Sequence, residues 1–235
     1  AREATHDALR GRGSYRRMLQ AASVCVLRGL PFSFNMCLTR GNRSEAAELV
    51  NLASDLGALG VRLGHLMSDP NPAAAGLELG PDERKALDRE LRVLQAQSDF
   101  PIGFAPGGWS EDLSPCDPLR GREFNLDWRG RLGLCCHLSG FNGQEQAAAA
   151  DLNRVGLKEA LAALGRLRDD LRGEKQRRRA GRDWRDDDHF ACWYCAKRFG
   201  AVDWIRARPE HPWHAALVGD SVDGARTPGQ QALSV

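Results

Sequence analysis

Four cysteines in the C-terminal half of the chain have the type and spacing of a metal site. Cys116 and Cys135 come first, and Cys192 and Cys195 follow much later, separated by two residues. A Cys-x2-Cys turn places two sulfurs on one side of a tight loop, near enough to each other for one metal ion or cluster. The sequence therefore predicts a four-thiolate site built from Cys116, Cys135, Cys192 and Cys195.

The three other cysteines are weaker candidates. Cys25 and Cys37 lie on a predicted helix and a predicted strand, and buried core positions are typical of such thiols. Cys136 follows Cys135 on a predicted strand, so the two side chains point to opposite faces and only one of them reaches the site. We therefore leave Cys25, Cys37 and Cys136 out of the predicted site.

The identity of the metal stays open from spacing alone. Tetrahedral zinc and an iron–sulfur cluster both accept four thiolates. His137 and His189 offer an imidazole ligand for a mixed site, although four cysteines already suffice. Hydrogen-bonded surface positions are the simpler interpretation of both histidines.

Apolar periodicity in the first hundred residues predicts alternating strands and helices. Residues 30–39 and 61–67 have the short apolar runs of strands, and residues 42–56 and 80–97 have the buried stripe of helices. Residues 5–13 are polar and rich in glycine, and we expect a loop there. Repeated βα units with short connections predict a parallel sheet.

A second, smaller module begins near residue 101, where Gly, Pro, aromatic residues and cysteines become frequent. We expect a first domain over 1–100, a cysteine-rich α+β domain over 101–214 and a disordered tail over 215–235. The second domain should contain a hairpin that turns at Arg129 and Gly130 and delivers Cys135.

The rest of the second domain is predicted from helical periodicity and charge. Residues 151–171 form a strongly amphipathic pattern typical of a helix. Residues 172–188 are highly charged, and we expect them to be exposed and mobile.

Composition argues against several classes of partner. The chain has 33 basic and 31 acidic residues, a net charge of +2, so nothing favours nucleic acid or an anionic membrane. The run Arg177-Arg178-Arg179 lies among acidic residues and indicates a solvated face. No apolar stretch approaches the roughly 20 residues of a membrane span, and the first residues lack the pattern of a signal peptide. Seven unevenly spaced cysteines fit a reducing cytoplasm better than a disulfide scaffold.

Two segments resemble radical SAM enzymes. The stretch from Arg122 to Cys136, with Gly130 and Cys135 in a Gly-x4-Cys spacing, resembles the hairpin of the SPASM or twitch domain that follows the catalytic barrel in that family. Upstream, Thr5-His6-Asp7-Ala8-Leu9-Arg10-Gly11 looks like the segment after the fourth barrel strand. The resemblance implies the C-terminal half of a partial (β/α)6 barrel, whose fifth and sixth strands are 30–39 and 61–67, followed by a SPASM or twitch domain.

The resemblance also implies cofactors, partners and site residues. Four thiolates suit one auxiliary [4Fe–4S] cluster, as in the shortened twitch version of the domain. S-adenosyl-L-methionine is implied for the full-length parent enzyme. Asn35 on one strand, and Leu66 and Met67 at the end of the next, occupy positions that approach it in the family, and ordinary barrel core is the alternative for all three. A peptide or protein is the implied substrate.

The catalytic motif of the family, Cys-x3-Cys-x2-Cys, does not occur in this sequence. We therefore expect the first half of the barrel to be missing or separately encoded, and this chain alone to be unable to cleave S-adenosyl-L-methionine. The alternative is a non-catalytic module in which a zinc ion or cluster is structural and the half barrel binds a peptide.

Overall fold

A computed structural model describes residues 1–71, 74, 76–138 and 148–219 and divides the chain into two compact units, Ala1–Trp109 and Ser110–Val235. The division falls later than the predicted boundary after residue 100. Of the predicted tail, residues 215–218 belong to a helix and residues 220–235 lie outside the described part.

The first unit is built around a parallel sheet, as predicted. Its elements in chain order are α1 (Glu3–Arg10), α2 (Ser14–Leu27), β1 (Phe34–Leu38), a 3-10 turn (Arg43–Glu45), α3 (Ala46–Asp55), β2 (Val61–His65), α4 (Pro81–Gln97) and β3 (Ile102–Phe104). The sheet has the order β1-β2-β3, and each neighbouring pair is parallel.

Apolar patterning explains these elements. Phe34, Met36 and Leu38 are buried on one face of β1, while the residues between them are exposed. The predicted stripe of α3 is buried at Ala46, Leu49, Val50 and Ala53. These side chains pack together with β2 and α4 in one apolar cluster, which is the core of the unit.

The predicted loop over residues 5–13 is wrong, because most of it forms α1. The carboxylate of Asp7 accepts hydrogen bonds from the backbone N–H groups of Gly13 and Tyr15, at 2.5 and 2.9 Å, and so caps the start of α2. Gly11 and Gly13 have positive φ angles of 90° and 78°, which make the tight turn between the two helices.

The second unit combines helices with short antiparallel strands. Its elements are α5 (Asp117–Arg120), β4 (Asn125–Leu126), β5 (Arg131–Gly133), a 3-10 turn (Cys136–Leu138), β6 (Ala148–Asp151), α6 (Leu157–Ala180), a 3-10 turn (Asp186–His189), α7 (Ala191–Arg198), a 3-10 turn (Asp203–Ala207) and α8 (His214–Val218). The strands form a sheet of order β4-β5-β6. β4 and β5 are the predicted hairpin, and Gly130 has the positive φ of 81° that its turn requires.

The predicted exposure of residues 172–188 is wrong for three of their charged side chains. The helix α6 continues to Ala180, and Lys175 is only 2% exposed. Asp187 and Asp188 are also buried. A charge run in the sequence looks the same whether its charges face water or one another, so the pattern could not reveal this burial.

The protein is thus mixed α/β, as expected. Within the described residues, none of the helices has both the length and the apolar character that crossing a bilayer requires.

Candidate metal centre

The helix α7 carries two of the four predicted ligands. Cys192 and Cys195 are three residues apart on this helix, so they lie on the same side of it. The Cys-x2-Cys segment is therefore a helical turn and not the predicted tight loop. Cys195 is buried and Cys192 is half-buried.

The β4–β5 hairpin positions the third predicted ligand. An oxygen of Asp127 accepts hydrogen bonds from the N–H groups of Arg129 and Arg131, both at 2.9 Å, which close the turn around Gly130. Cys135 follows β5 and is half-buried, whereas Cys136 begins the next 3-10 turn and is exposed. The pair thus lies after the predicted strand rather than on it, and Cys135 is still the one turned inward.

Cys116 immediately precedes the short helix α5. Pro118 fixes the first turn of this helix, and Gly121 ends it with a φ of 75°. Leu119 is buried in the apolar cluster of the second unit, and this anchors the segment that carries Cys116.

Three of the predicted thiols meet in that cluster. Cys195 is one of its buried members, and Cys116 and Cys135 pack against it from the side. The helix α7 also contacts the 3-10 turn that follows Cys135. Segments far apart in the sequence therefore bring Cys116, Cys135 and Cys195 to one place.

The electrostatics of the thiols agree with this convergence. The pKa of Cys135 is raised to about 12, mainly by burial and to a lesser extent by the neighbouring Cys136, Cys195 and Cys116. Burial likewise raises the pKa of Cys195 to about 11, with an opposing contribution from Lys175 and a reinforcing one from Cys116. Burial also raises the pKa of Cys116. These thiols are close enough to influence one another, and they are protonated at neutral pH when no metal is bound.

Backbone groups point at two of the sulfurs. The N–H group of His137 lowers the pKa of Cys135 by hydrogen bonding to its sulfur, and the N–H group of Leu119 does the same for Cys116. Such N–H groups stabilise the thiolate form of a cysteine, which is the form that binds metal.

The four predicted ligands are all cysteines. Among the described residues, no group of three or more His, Cys, Asp or Glu side chains is arranged to hold a single metal ion. The imidazole of His189 has a backbone partner, since its Nδ1 is 2.9 Å from the carbonyl oxygen of Ser110. His137 is exposed.

A buried ionic network that sequence reasoning missed fixes α7. Nζ of Lys197 binds carboxylate oxygens of Asp187 and Asp188 at 3.0 and 2.7 Å. Arg178 of α6 binds the other oxygen of Asp188 at 3.0 Å, and Nε1 of Trp193 donates to Asp187 at 3.0 Å. The acidic run at 186–188 was the signal for this network, but its partners could not be inferred from spacing.

The first unit contains a cavity of about 850 Å³ beside β1. Asn35 and Leu66 line this cavity, as do Cys25 and Cys37, whereas the half-buried Met67 is outside the described lining. The structure therefore brings together two of the three residues predicted to approach S-adenosyl-L-methionine. The leftover cysteines of the first unit border a cavity rather than fill the core.

Comparison with known proteins adds no assignment. A scan against models of protein families finds none that matches the chain, and a search of curated proteins finds no matching relative.

Proposed function

We propose that this chain is the C-terminal part of a radical SAM enzyme that modifies a peptide or protein, and that its second unit binds one auxiliary [4Fe–4S] cluster. The ligands are Cys116, Cys135, Cys192 and Cys195. The observation that carries the proposal is the convergence of Cys116, Cys135 and Cys195 in one buried cluster of the second unit.

The family resemblance favours iron and sulfide over a single zinc ion. One zinc ion draws four sulfurs to about 2.3 Å from a single centre. A four-iron cluster also takes four thiolates, and the resemblance of residues 122–136 to the SPASM or twitch hairpin is what favours the cluster over zinc. Apolar neighbours such as Leu134 and Leu164 exclude water from the site.

In this proposal, different residues hold the cysteines in place, stabilise the thiolates and contact S-adenosyl-L-methionine. The hairpin around Gly130 and the ionic network on α7 hold the cysteines in place, and the N–H groups of Leu119 and His137 stabilise the thiolates. When bound, an auxiliary cluster supplies a site that anchors a peptide substrate or accepts one electron. Asn35 and Leu66, in the wall of the 850 Å³ cavity, contact S-adenosyl-L-methionine in the complete enzyme.

Anaerobic reconstitution with ferrous iron and sulfide tests the proposal. We expect about four irons and four sulfides per chain, with the broad visible absorption of a four-iron cluster. Cys192→Ala should lose this absorption, because it removes a ligand. Cys136→Ser is the matched control, since it changes an exposed thiol beside Cys135 and should keep the cluster.

Three results would reject the cluster. They are stoichiometric zinc without sulfide, an unchanged cluster in Cys192→Ala, or loss of iron in Cys136→Ser. The first of these would favour the alternative function, a structural zinc module with a peptide-binding half barrel.

A further inference from the structure

Lys175 places a buried cation beside the candidate metal centre. It lies on α6 and is only 2% exposed. Its Nζ donates a hydrogen bond of 3.0 Å to the carbonyl oxygen of Leu113, three residues before Cys116. The same Nζ sits 4.7 Å from the centre of the ring of Tyr194, the residue before Cys195. The lysine is therefore held between the two segments that carry Cys116 and Cys195.

In the part of the chain that the structure describes, the ammonium group of Lys175 has no direct carboxylate partner. Among the described residues, Nζ of Lys175 forms no ion pair, and its contacts are a carbonyl oxygen and an aromatic ring. The charge of Lys175 acts on Asp112, Cys116 and Cys195. Glu174, the neighbouring acid on α6, is engaged by Arg198 at 2.6 Å and by the hydroxyl of Tyr194 at 2.9 Å.

Burial of an ammonium group is costly unless a nearby anion offsets the loss of its hydration. The thiols nearest to Lys175 become thiolates when they bind metal, and they then supply that negative charge. Metal-bound thiolates therefore explain how the ammonium group of Lys175 can be buried at this position.

We infer that Lys175 is a positioning residue that raises the reduction potential of the metal centre, an inference that rests on the proposed function. One-electron reduction by a low-potential donor such as dithionite adds one negative charge to the cluster and its thiolates, with no bond made or broken. A buried ammonium group stabilises the reduced form more than the oxidised form. Lys175 therefore makes the cluster easier to reduce.

Redox titration of the reconstituted protein tests this inference, with dithionite as reductant and the spectrum of the cluster as readout. The variants Lys175→Gln and Lys175→Met remove the charge, and Met nearly preserves the shape of the side chain. At a fixed potential, each should lower the ratio of reduced to oxidised cluster about tenfold, which corresponds to 59 mV for one electron. Lys175→Arg keeps the charge and should restore most of the potential.

Arg172→Gln is the matched control. Arg172 lies one turn earlier on α6, and its Nη2 is 3.4 Å from the carbonyl oxygen of Leu119, after Cys116. Its side chain is 46% exposed, so water screens its charge and the potential should change little.

Each outcome bears on the inference. A potential that is unchanged in Lys175→Gln and Lys175→Met, or equally shifted in Arg172→Gln, would overturn it while leaving the proposed function intact. Loss of the cluster in all three Lys175 variants would also overturn it, because the lysine would then be needed only for assembly. Absence of a cluster from the wild-type protein would overturn both the inference and the proposed function.

Discussion

The cysteines of the two units have different surroundings. In the second unit, Cys116, Cys135 and Cys195 share one cluster of side chains. Cys116 and Cys195 raise the pKa of Cys135, and Cys116 also raises the pKa of Cys195. In the first unit, burial raises the pKa of Cys37, but the charged groups that act on it are two arginines and not a second thiol. The number of cysteines alone therefore does not define a metal site. The site is defined by the helices and strands that bring the sulfur atoms together.

The units also differ in what holds their parts in place. Regular βα elements and one apolar core organise the first unit. In the second unit the strands are short, and buried charges on α6, α7 and the turn at 186–189 fix the helix that carries two cysteines. A site built this way should depend on ionic contacts far more than the sheet does.

The largest expected effect comes from removing the central cation of the ionic network. Lys197→Met leaves Asp187 and Asp188 buried without their shared partner, and we expect the free energy of unfolding of the second unit to fall by about 3–5 kcal/mol. Denaturation followed by tryptophan fluorescence measures this, because five of the six tryptophans lie after residue 110. The bound iron should decrease as well.

Lys158→Met is the control for Lys197→Met. Lys158 is exposed on α6, so its loss should leave the stability and the iron content nearly unchanged. Equal effects of the two substitutions would show that the buried network does not fix α7.

A substitution in the core of the first unit should separate the two regions. Leu63 is 1% exposed on the central strand β2, and Leu63→Ala should cost about 2–5 kcal/mol because it leaves a cavity. Hydrogen exchange of the β2 amides measures this loss. The iron and sulfide content of the folded protein should stay the same. A decrease in that content would show that the metal site also depends on the core of the first unit.

The stability of the metal-free protein should fall at high pH because of the buried thiols. The folded pKa of Cys195 is about 11, above the usual value of about 8.5 for an unfolded thiol. The folded state therefore holds this proton more tightly, and its advantage is complete below pH 8.5 and lost as the pH rises towards 11. We expect a loss of up to about 1.4 kcal/mol per pH unit for each such thiol. Unfolding titrations between pH 8 and 11 should show a smaller slope in Cys195→Ala, and an identical slope would contradict this burial.

The smallest expected effect concerns the hairpin turn. Gly130 has a φ of 81°, and a Cβ atom there would lie 2.7 Å from Nδ2 of Asn153. We expect Gly130→Ala to destabilise the second unit by about 1 kcal/mol and to weaken iron binding at Cys135. Gly165→Ala within α6 should instead stabilise it by up to about 1 kcal/mol, because alanine favours helix and the site has space. If both substitutions changed the stability in the same direction, the turn would have no particular requirement for glycine at residue 130.

The sequence predicted the first unit best because apolar periodicity decides its structure. The buried stripe of α3, the extent of α4 and the parallel pairing of β1 with β2 all follow from local pattern and short connections. The exception is α1, whose polar residues give no apolar stripe and none of which is buried. The helix α1 is held in place by the hydrogen bonds of Asp7 and by contacts with α2, and a local sequence pattern does not indicate such contacts.

In the second unit, sequence predicted the hairpin but not the environment of the site. The Gly130 turn has a strong local signal, and so has the middle of α6, but α6 begins at Leu157 and not at the predicted residue 151, which ends β6. The burial of Lys175 and Asp188 has none, because a charged residue becomes buried only through partners distant in the chain. The full set of four cysteine ligands and the identity of the metal remain predictions.

The most direct test is the metal content of the protein as isolated under anaerobic conditions from cells supplied with iron, without reconstitution. An auxiliary cluster held by the four cysteines predicts about four irons and four sulfides per chain, little zinc, and loss of both iron and sulfide in Cys195→Ala. One zinc per chain without sulfide, or iron retained in Cys195→Ala, would contradict it.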